Sequence, residues 1–355
     1  MPTPAPSKSA SKMNSIESLV RLNIAALAPY STARDELSGA PEVFLDANES
    51  PYENGFNRYP DPHQAVLKQR LSALKGLPVE NIFVGNGSDE AIDLVFRVFC
   101  EPGRDNVVAI APSYGMYEVA AATNDIEVRK VRLGADFSLD SEALLAATDA
   151  RTKALFLCSP NNPSGNAFPN AQILDLSARF EGIVVVDEAY IDFCRIPSLR
   201  AWVNTIPNLL ILQTLSKAWG MAGLRLGLAF ACPRTIQLMS RVKYPYNVNT
   251  LAQKAALEQL RTPIESQIAE IIAERDRLAA WLPSLPFIRK VYPSEANFLL
   301  VQVSDADALY ARLLQDGIIV RNRSRVPGCE GCLRITIGTP EENRRLTASL
   351  ERFQA

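Results

Sequence analysis

Lys217 lies in the stretch Thr214-Leu-Ser-Lys-Ala-Trp-Gly-Met-Ala-Gly-Leu-Arg-Leu-Gly227, immediately after the apolar run Leu209-Leu-Ile-Leu212. Such a run is the pattern of a strand buried on both faces of a parallel sheet. It puts an amine at the strand's carboxyl end, beside the hydroxyls of Thr214 and Ser216 and ahead of the guanidinium of Arg225. That set suits a phosphate-bearing carbonyl compound: the amine forms a Schiff base while hydroxyls and guanidinium hold the phosphate. Taken alone, the lysine fits a solvated loop position better. Three other stretches decide for chemistry.

The first is Gly85-Asn-Gly-Ser-Asp-Glu90, between the strand-like Asn81-Ile-Phe-Val84 and the helical periodicity of Ala91 to Phe99. A strand, a glycine turn and a helix start present free backbone N–H groups to an anion, here from Gly87, Ser88 and Asp89. Asp89 is equally an ordinary helix-start residue. The second is Ser159-Pro-Asn-Asn-Pro-Ser-Gly165, where flanking prolines make Asn162 a rigid side-chain donor. The third is Gly182-Ile-Val-Val-Val-Asp187, followed by Glu188-Ala-Tyr190. A carboxylate at the carboxyl edge of a central parallel strand stands where α/β folds bind ligands; a helix cap or surface ion pair is the plainer alternative. Tyr114, just past the strand-like Asn106–Ile110, is placed to stack on a planar ring. Asn57-Arg-Tyr-Pro-Asp-Pro62 either presents Tyr59 to a neighbour or is a surface turn with a packed aromatic.

The elements that must position these residues alternate strand and helix from Ile82 to about Phe230, which implies βαβ units and a parallel sheet. Ser15 to Ala28 reads as helical, Val43–Asp46 as a short strand, and Thr250 to Leu282 as long helices. Strands are expected at Gly317–Arg321 and Leu333–Gly338, with a last helix from Glu341 to Phe353. The chain of 355 residues is 47% hydrophobic and 21% charged with a formal net charge of −2, so neither nucleic acid nor an anionic membrane surface is an expected partner. No apolar run approaches the ~20 residues of a membrane span. Six scattered cysteines read as reduced thiols. Cys329-Glu-Gly-Cys332 has the spacing of half a zinc site, but there is no second pair and His63 is the one histidine, so no metal is expected. Residues 1–14 are rich in Pro, Ser and Ala and read as a disordered tail, with a targeting peptide as the alternative. The chain reads as cytoplasmic.

With Asn162, Asp187, Tyr190, Lys217 and Arg225 in this order, the chain resembles the fold-type I pyridoxal-phosphate aminotransferases. Leu45-Asp-Ala-Asn-Glu-Ser-Pro51, Asn57–Pro62, Gly85–Glu90, Ser159–Gly165, Val185–Tyr190, Thr214–Lys217 and Gly331-Cys-Leu-Arg-Ile-Thr-Ile-Gly338 narrow the resemblance to the histidinol-phosphate aminotransferases. Asp46 and Ser50 stand where that family often has Asn. The resemblance implies an α/β fold: a large domain with a mainly parallel seven-stranded sheet flanked by helices, plus a smaller α+β domain. The implied division is an N-terminal segment joining the small domain (15–45), the large domain (46–250) and the small domain (251–355).

The resemblance also implies roles. Lys217 holds pyridoxal 5'-phosphate as a Schiff base and moves the proton; Asp187 pairs with its pyridinium nitrogen; Asn162 and Tyr190 hydrogen-bond its phenolate oxygen. Tyr114 stacks on the ring, and Gly87, Ser88, Asp89, Thr214, Ser216 and Arg225 bind the phosphate. A homodimer is implied, with Tyr59 reaching the partner's cofactor phosphate. Arg334 and Arg321 match residues that bind the substrate's anionic group, and Tyr30 and Asn297 match further substrate-lining positions. Two guanidiniums suit the dianionic phosphate of L-histidinol phosphate, with 2-oxoglutarate as amino acceptor. Arg323 and Arg325 are expected in solvent. An aromatic amino acid aminotransferase and a threonine-phosphate decarboxylase-like enzyme are the alternatives on the same scaffold.

Overall fold

The computed structural model describes residues 16–28 and 43–353. Two short helices, α1 (Ile16–Leu19) and α2 (Leu22–Ala25), precede α3 (Ala65–Lys75). From there a large sheet is built in the order expected for βαβ units. Its strands are β1 (Ile82–Asn86), β2 (Asn106–Ala111), β3 (Glu127–Arg132), β4 (Thr152–Cys158), β5 (Ile183–Asp187), β6 (Leu209–Thr214) and β7 (Leu226–Phe230). The spatial order is β1-β7-β6-β5-β4-β2-β3, and only β7 runs against its neighbours. This is the mainly parallel seven-stranded sheet that the motifs imply.

The β-branched run of β5 is wholly buried because both faces of the sheet are covered. On one face pack α4 (Ser88–Phe99) and α5 (Met116–Thr123). On the other pack α3, α6 (Ser141–Ala146) and α7 (Asn170–Arg179). The chain then continues through α8 (Pro233–Val242), on the first face, and α9 (Thr250–Gln259), on the second. Side-chain alternation sends Ile183, Val185 and Asp187 to the α4 face, and Val184 and Val186 to the other.

The second unit begins with α10 (Glu265–Trp281). Its antiparallel sheet has the order β10-β11-β9-β8, from β8 (Ile288–Val291), β9 (Phe298–Val303), β10 (Arg321–Asn322) and β11 (Cys332–Thr336). One face packs on α10, α11 (Ala306–Gln315) and α12 (Pro340–Glu351). The helix-free face turns to the large domain: Phe298 clusters with Tyr190 and Phe193, and Leu300 with Phe137. Arg195, after β5, ties the units together through Asp276 of α10 at 3.2 Å and Glu295 at 3.1 Å.

Four expectations are corrected. Residues 16–28 do not join the small domain: Ile16, Leu19, Val20 and Ile24 are buried with α4 and α8 on the large sheet, and the Arg21 N–H donates to Val98 O. Helix α9 also belongs to the large domain, because Ala252, Ala256 and Leu260 fill its second face; the change of core comes after Leu260, not at 250. Val43–Asp46 forms no strand. Of Gly317–Arg321 only the last residue enters a ladder, since β10 is an edge strand bonded to β11 alone. The tail at 1–14 lies outside the described residues.

One glycine is essential to the close packing at the sheet's carboxyl edge. A Cβ on Gly227 of β7 would overlap the backbone of Gly87 and Ser88, which lead into α4. Neither backbone can retreat without breaking the β1–β7 ladder. Gly227→Ala is therefore expected to cost about 3 kcal/mol or more and to displace the start of α4. A urea midpoint equal to wild type would contradict this.

Candidate active site

The carboxyl ends of β4, β5 and β6 bring Cys158, Asp187 and Thr214 to one edge on the α4 face; Cys158 and Asp187 are register partners. The turn after β1 and the start of the reversed β7 reach the same edge, carrying Ser88 and Arg225. Ser88, Asp89, Tyr114, Asn162, Asp187, Tyr190, Thr214, Ser216, Lys217 and Arg225 line one cleft. These are ten of the expected residues, drawn from five separate chain stretches.

Asp187 is buried, with the Tyr117 hydroxyl donating to Oδ2 at 2.8 Å and the Ala189 N–H donating to Oδ1 at 3.0 Å. Burial raises its pKa to about 6 despite those bonds. Glu188, its neighbour, alternates to the opposite face. There it accepts from the Leu199 N–H at 2.7 Å and Gln213 Nε2 at 2.9 Å, and so serves the fold.

Lys217 stands at the mouth of the cleft with Nζ 5.7 Å from the centre of the Tyr190 ring. The surrounding protein and then the Arg334 charge lower its pKa, against the pull of Asp187. Burial holds the Tyr190 phenol protonated. Asn162 links the two domains: its Nδ2 donates to the Tyr190 hydroxyl at 3.5 Å, and its Oδ1 accepts from Arg334 Nη1 at 2.5 Å. Arg334 also lies over the Phe298 ring at 5.2 Å, and that ring meets Tyr190 edge-on.

At the other end, α4 begins after Gly87 (φ +79°) with no side-chain cap on its N–H groups. A Cβ on Gly87 would come to 2.7 Å from Arg225 Nη2, so the glycine leaves the guanidinium its place. Arg225 itself holds a left-handed φ of +54°, its carbonyl accepting from the Gly87 N–H at 2.7 Å. The Ser216 N–H donates to Thr214 Oγ1 at 3.1 Å. The Asp89 carboxylate accepts from the Tyr114 hydroxyl at 3.1 Å and lies 3.7 Å from Arg225 Nη2. Open helix N–H groups, hydroxyls and a guanidinium make an anion subsite.

Arg321 is the register partner of Arg334 across β10 and β11, and is exposed. Asn297 accepts through its carbonyl from the Ile337 N–H at 2.9 Å. Tyr59 is not in this cleft: it is half exposed and stacks on Tyr246 at 4.4 Å. Tyr30 lies outside the described residues. Arg325 is exposed as expected, but Arg323 is half-buried beside the site. The local sequence did not single out Tyr117, Cys158 or Gly227. A second tyrosine three residues after Tyr114, where the chain enters α5, was the available signal for the first.

Residues 32–350 match the model of the family described as aminotransferase class I and II. The chain belongs to that family. It is 56% identical over 344 residues to the histidinol-phosphate aminotransferase of Parabacteroides distasonis, covering 96% of this chain and all of that protein. It is 52% identical to the enzyme of the same name from Bacteroides fragilis, with 96% and 100% covered. Among solved structures it is similar to the histidinol-phosphate aminotransferase of Sinorhizobium meliloti in complex with pyridoxal-5'-phosphate (TM-score 0.76, 26% identity, 82% of each chain). It is also similar to the L-threonine-O-3-phosphate decarboxylase of Porphyromonas gingivalis (TM-score 0.70, 26% identity, 83% and 90% covered).

The raised pKa of Asp187 has a consequence for stability. In the ligand-free protein its contribution is fully present below the unfolded pKa near 3.8 and is lost as pH rises through about 6. Asp187→Asn carries no such charge. Without ligand it should unfold at a higher temperature than wild type above pH 6, by the equivalent of about 3 kcal/mol at most, and lose the advantage near pH 4. A pH-independent difference would contradict the assignment.

Proposed function

We propose that the enzyme transfers the amino group of L-histidinol phosphate to 2-oxoglutarate, giving imidazole acetol phosphate and glutamate. The similarity of 56% over essentially the whole chain to a histidinol-phosphate aminotransferase carries this reading. The facing Arg321 and Arg334 suit a phosphate-bearing substrate. The 26% identity to a phosphothreonine decarboxylase supports that alternative less.

The residues present fit pyridoxal 5'-phosphate. A buried carboxylate without an ion-pair partner among the described residues suits a pyridinium, and the open start of α4 with Arg225 suits a phosphate. When bound, this cofactor supplies a ring that accepts the electron pair left on the substrate carbon. Asp187 would keep the ring nitrogen protonated. Asn162 and Tyr190 would donate to the ring's phenolate oxygen, and Tyr114 would cover the ring face. Gly87, Ser88, Asp89 through its backbone, Thr214, Ser216 and Arg225 hold the cofactor phosphate. Lys217, its proton affinity already lowered, is the amine that would hold the cofactor through its carbonyl and, when free, would accept the proton of the substrate's nitrogen-bearing carbon. Arg321 and Arg334 hold the distal anionic group, with Asn297 and Tyr30 lining the substrate side.

The active form is a cytoplasmic homodimer in which Tyr59 donates to the partner's cofactor phosphate. The exposed Tyr59, Phe56 and Leu251 lie around one open pocket, a surface suited to a second copy. No described helix is long and apolar enough to cross a membrane.

Titration of the pyridoxal-loaded protein is expected to convert the visible absorbance to the near-ultraviolet form at low L-histidinol phosphate and only at high L-phenylalanine. Equal response to both would make it a broad aromatic aminotransferase. Mixing Tyr59→Phe subunits with Lys217→Ala subunits is expected to create one site per dimer with both intact residues. That site should bind cofactor like wild type, about tenfold or more tighter than the Tyr59→Phe homodimer. Affinity as weak as in that homodimer would overturn the cross-subunit role.

A further inference from the structure

Arg323 was expected in solvent and is instead half-buried, with Arg334, Arg321 and Tyr190 as electrostatic neighbours. Arg321 and Arg334 oppose each other across β10 and β11. The ladder continues one step beyond β10, with the Arg323 N–H donating to Cys332 O at 2.8 Å. Arg323 therefore sits two residues from Arg321 on an extended segment, on the same helix-free face as Arg321 and Arg334. The side chain is half-buried, and its Nε is buried without a hydrogen-bond partner, as is the Nε of Arg334.

The electrostatics agree with the geometry. Burial lowers the proton affinity of Arg323, then the charges of Arg334 and Arg321 lower it further; Cys329 and Tyr190 act weakly the other way. Arg334 is depressed likewise by burial and by Arg321, with Tyr190 opposing. No salt bridge joins any of the three guanidiniums to an Asp or Glu among the described residues. Like charges gathered on a partly desolvated face, with donors left unpaired, are costly unless an anion completes them. A phosphate dianion offers enough charge and oxygen atoms for three guanidiniums, whereas one carboxylate is saturated by one or two.

We propose that Arg323 is a third phosphate-binding residue, which closes with Arg321 and Arg334 around the substrate's phosphate and sets the preference for a phosphorylated amine over its unphosphorylated counterpart. This rests on the substrate reading given above. Arg334, fixed by Asn162 and Phe298, serves either anion. Arg323 adds affinity only when the anion is a phosphate.

The test uses wild-type, Arg323→Met and Arg323→Lys holoenzymes, assayed with L-histidinol phosphate and with L-histidinol, which lacks only the phosphate. Inhibition by inorganic phosphate against L-histidinol reports the subsite without the rest of the substrate. Arg323→Met should raise the KM for L-histidinol phosphate and the phosphate inhibition constant about ten- to hundredfold, with kcat and L-histidinol turnover within about twofold. Arg323→Lys should recover part of both losses. Equal losses on the two amines would make Arg323 a support for Tyr190 rather than a phosphate ligand. An unshifted phosphate inhibition constant would remove it from the subsite. If wild type shows no preference for L-histidinol phosphate, the substrate reading falls, and the phosphate inhibition constant still judges Arg323.

Discussion

A carboxylate buried at the end of the central strand is the constraint on which the site depends. Asp187 is surrounded by the sheet, α4 and α5, where an isolated charge is expensive. The fold gives it two hydrogen bonds, from Tyr117 and Ala189, and no cation close enough to form a salt bridge among the described residues. A positively charged ring nitrogen, as the proposed cofactor carries, would supply what the protein leaves out. The rest of the cleft would suit a ring so anchored, with Asn162 and Tyr190 on one side, Ser88, Thr214 and Arg225 on another, and Lys217 among its lining.

The second sheet contributes the opposite sign. Its apolar face is satisfied by α10, α11 and α12, which leaves the other face free to carry guanidiniums toward the large domain. Antiparallel register assembles that cationic wall: Arg321 and Arg334, thirteen residues apart on successive strands, are adjacent across the ladder. Arg334 reaches the cleft of the buried carboxylate through Asn162, so opposite charges approach that cleft from the two domains.

Much of this was legible because the residues concerned sit where strands end. Lys217, Asp187 and Asn162 each follow an apolar run, and a run's end locates its last side chain at the sheet's edge. The turn before α4 was legible through its glycines. Tyr117 was not, because its role depends on a helix rotating its hydroxyl under Asp187. Arg323 was misread because two residues of edge strand give no periodic signal; its fate follows from pairing with β11. The segment at 16–28 was assigned to the wrong domain because its apolar positions fit either core, and only packing on α4 and α8 distinguishes them.

The hydrogen bonds of Asn162 have a thermodynamic consequence. One end of a single amide faces the phenol of Tyr190 and the other faces Arg334, so the two sides of the cleft share a partner. An anion that draws Arg334 away from Oδ1 changes the field at Nδ2, and a ring oxygen that engages Nδ2 changes the acceptor offered to Arg334. Occupancy at either side is thus coupled to occupancy at the other, and such coupling is reciprocal. The amide acts as a beam balance between the two ligands, weighing each against the other across the seam of the molecule.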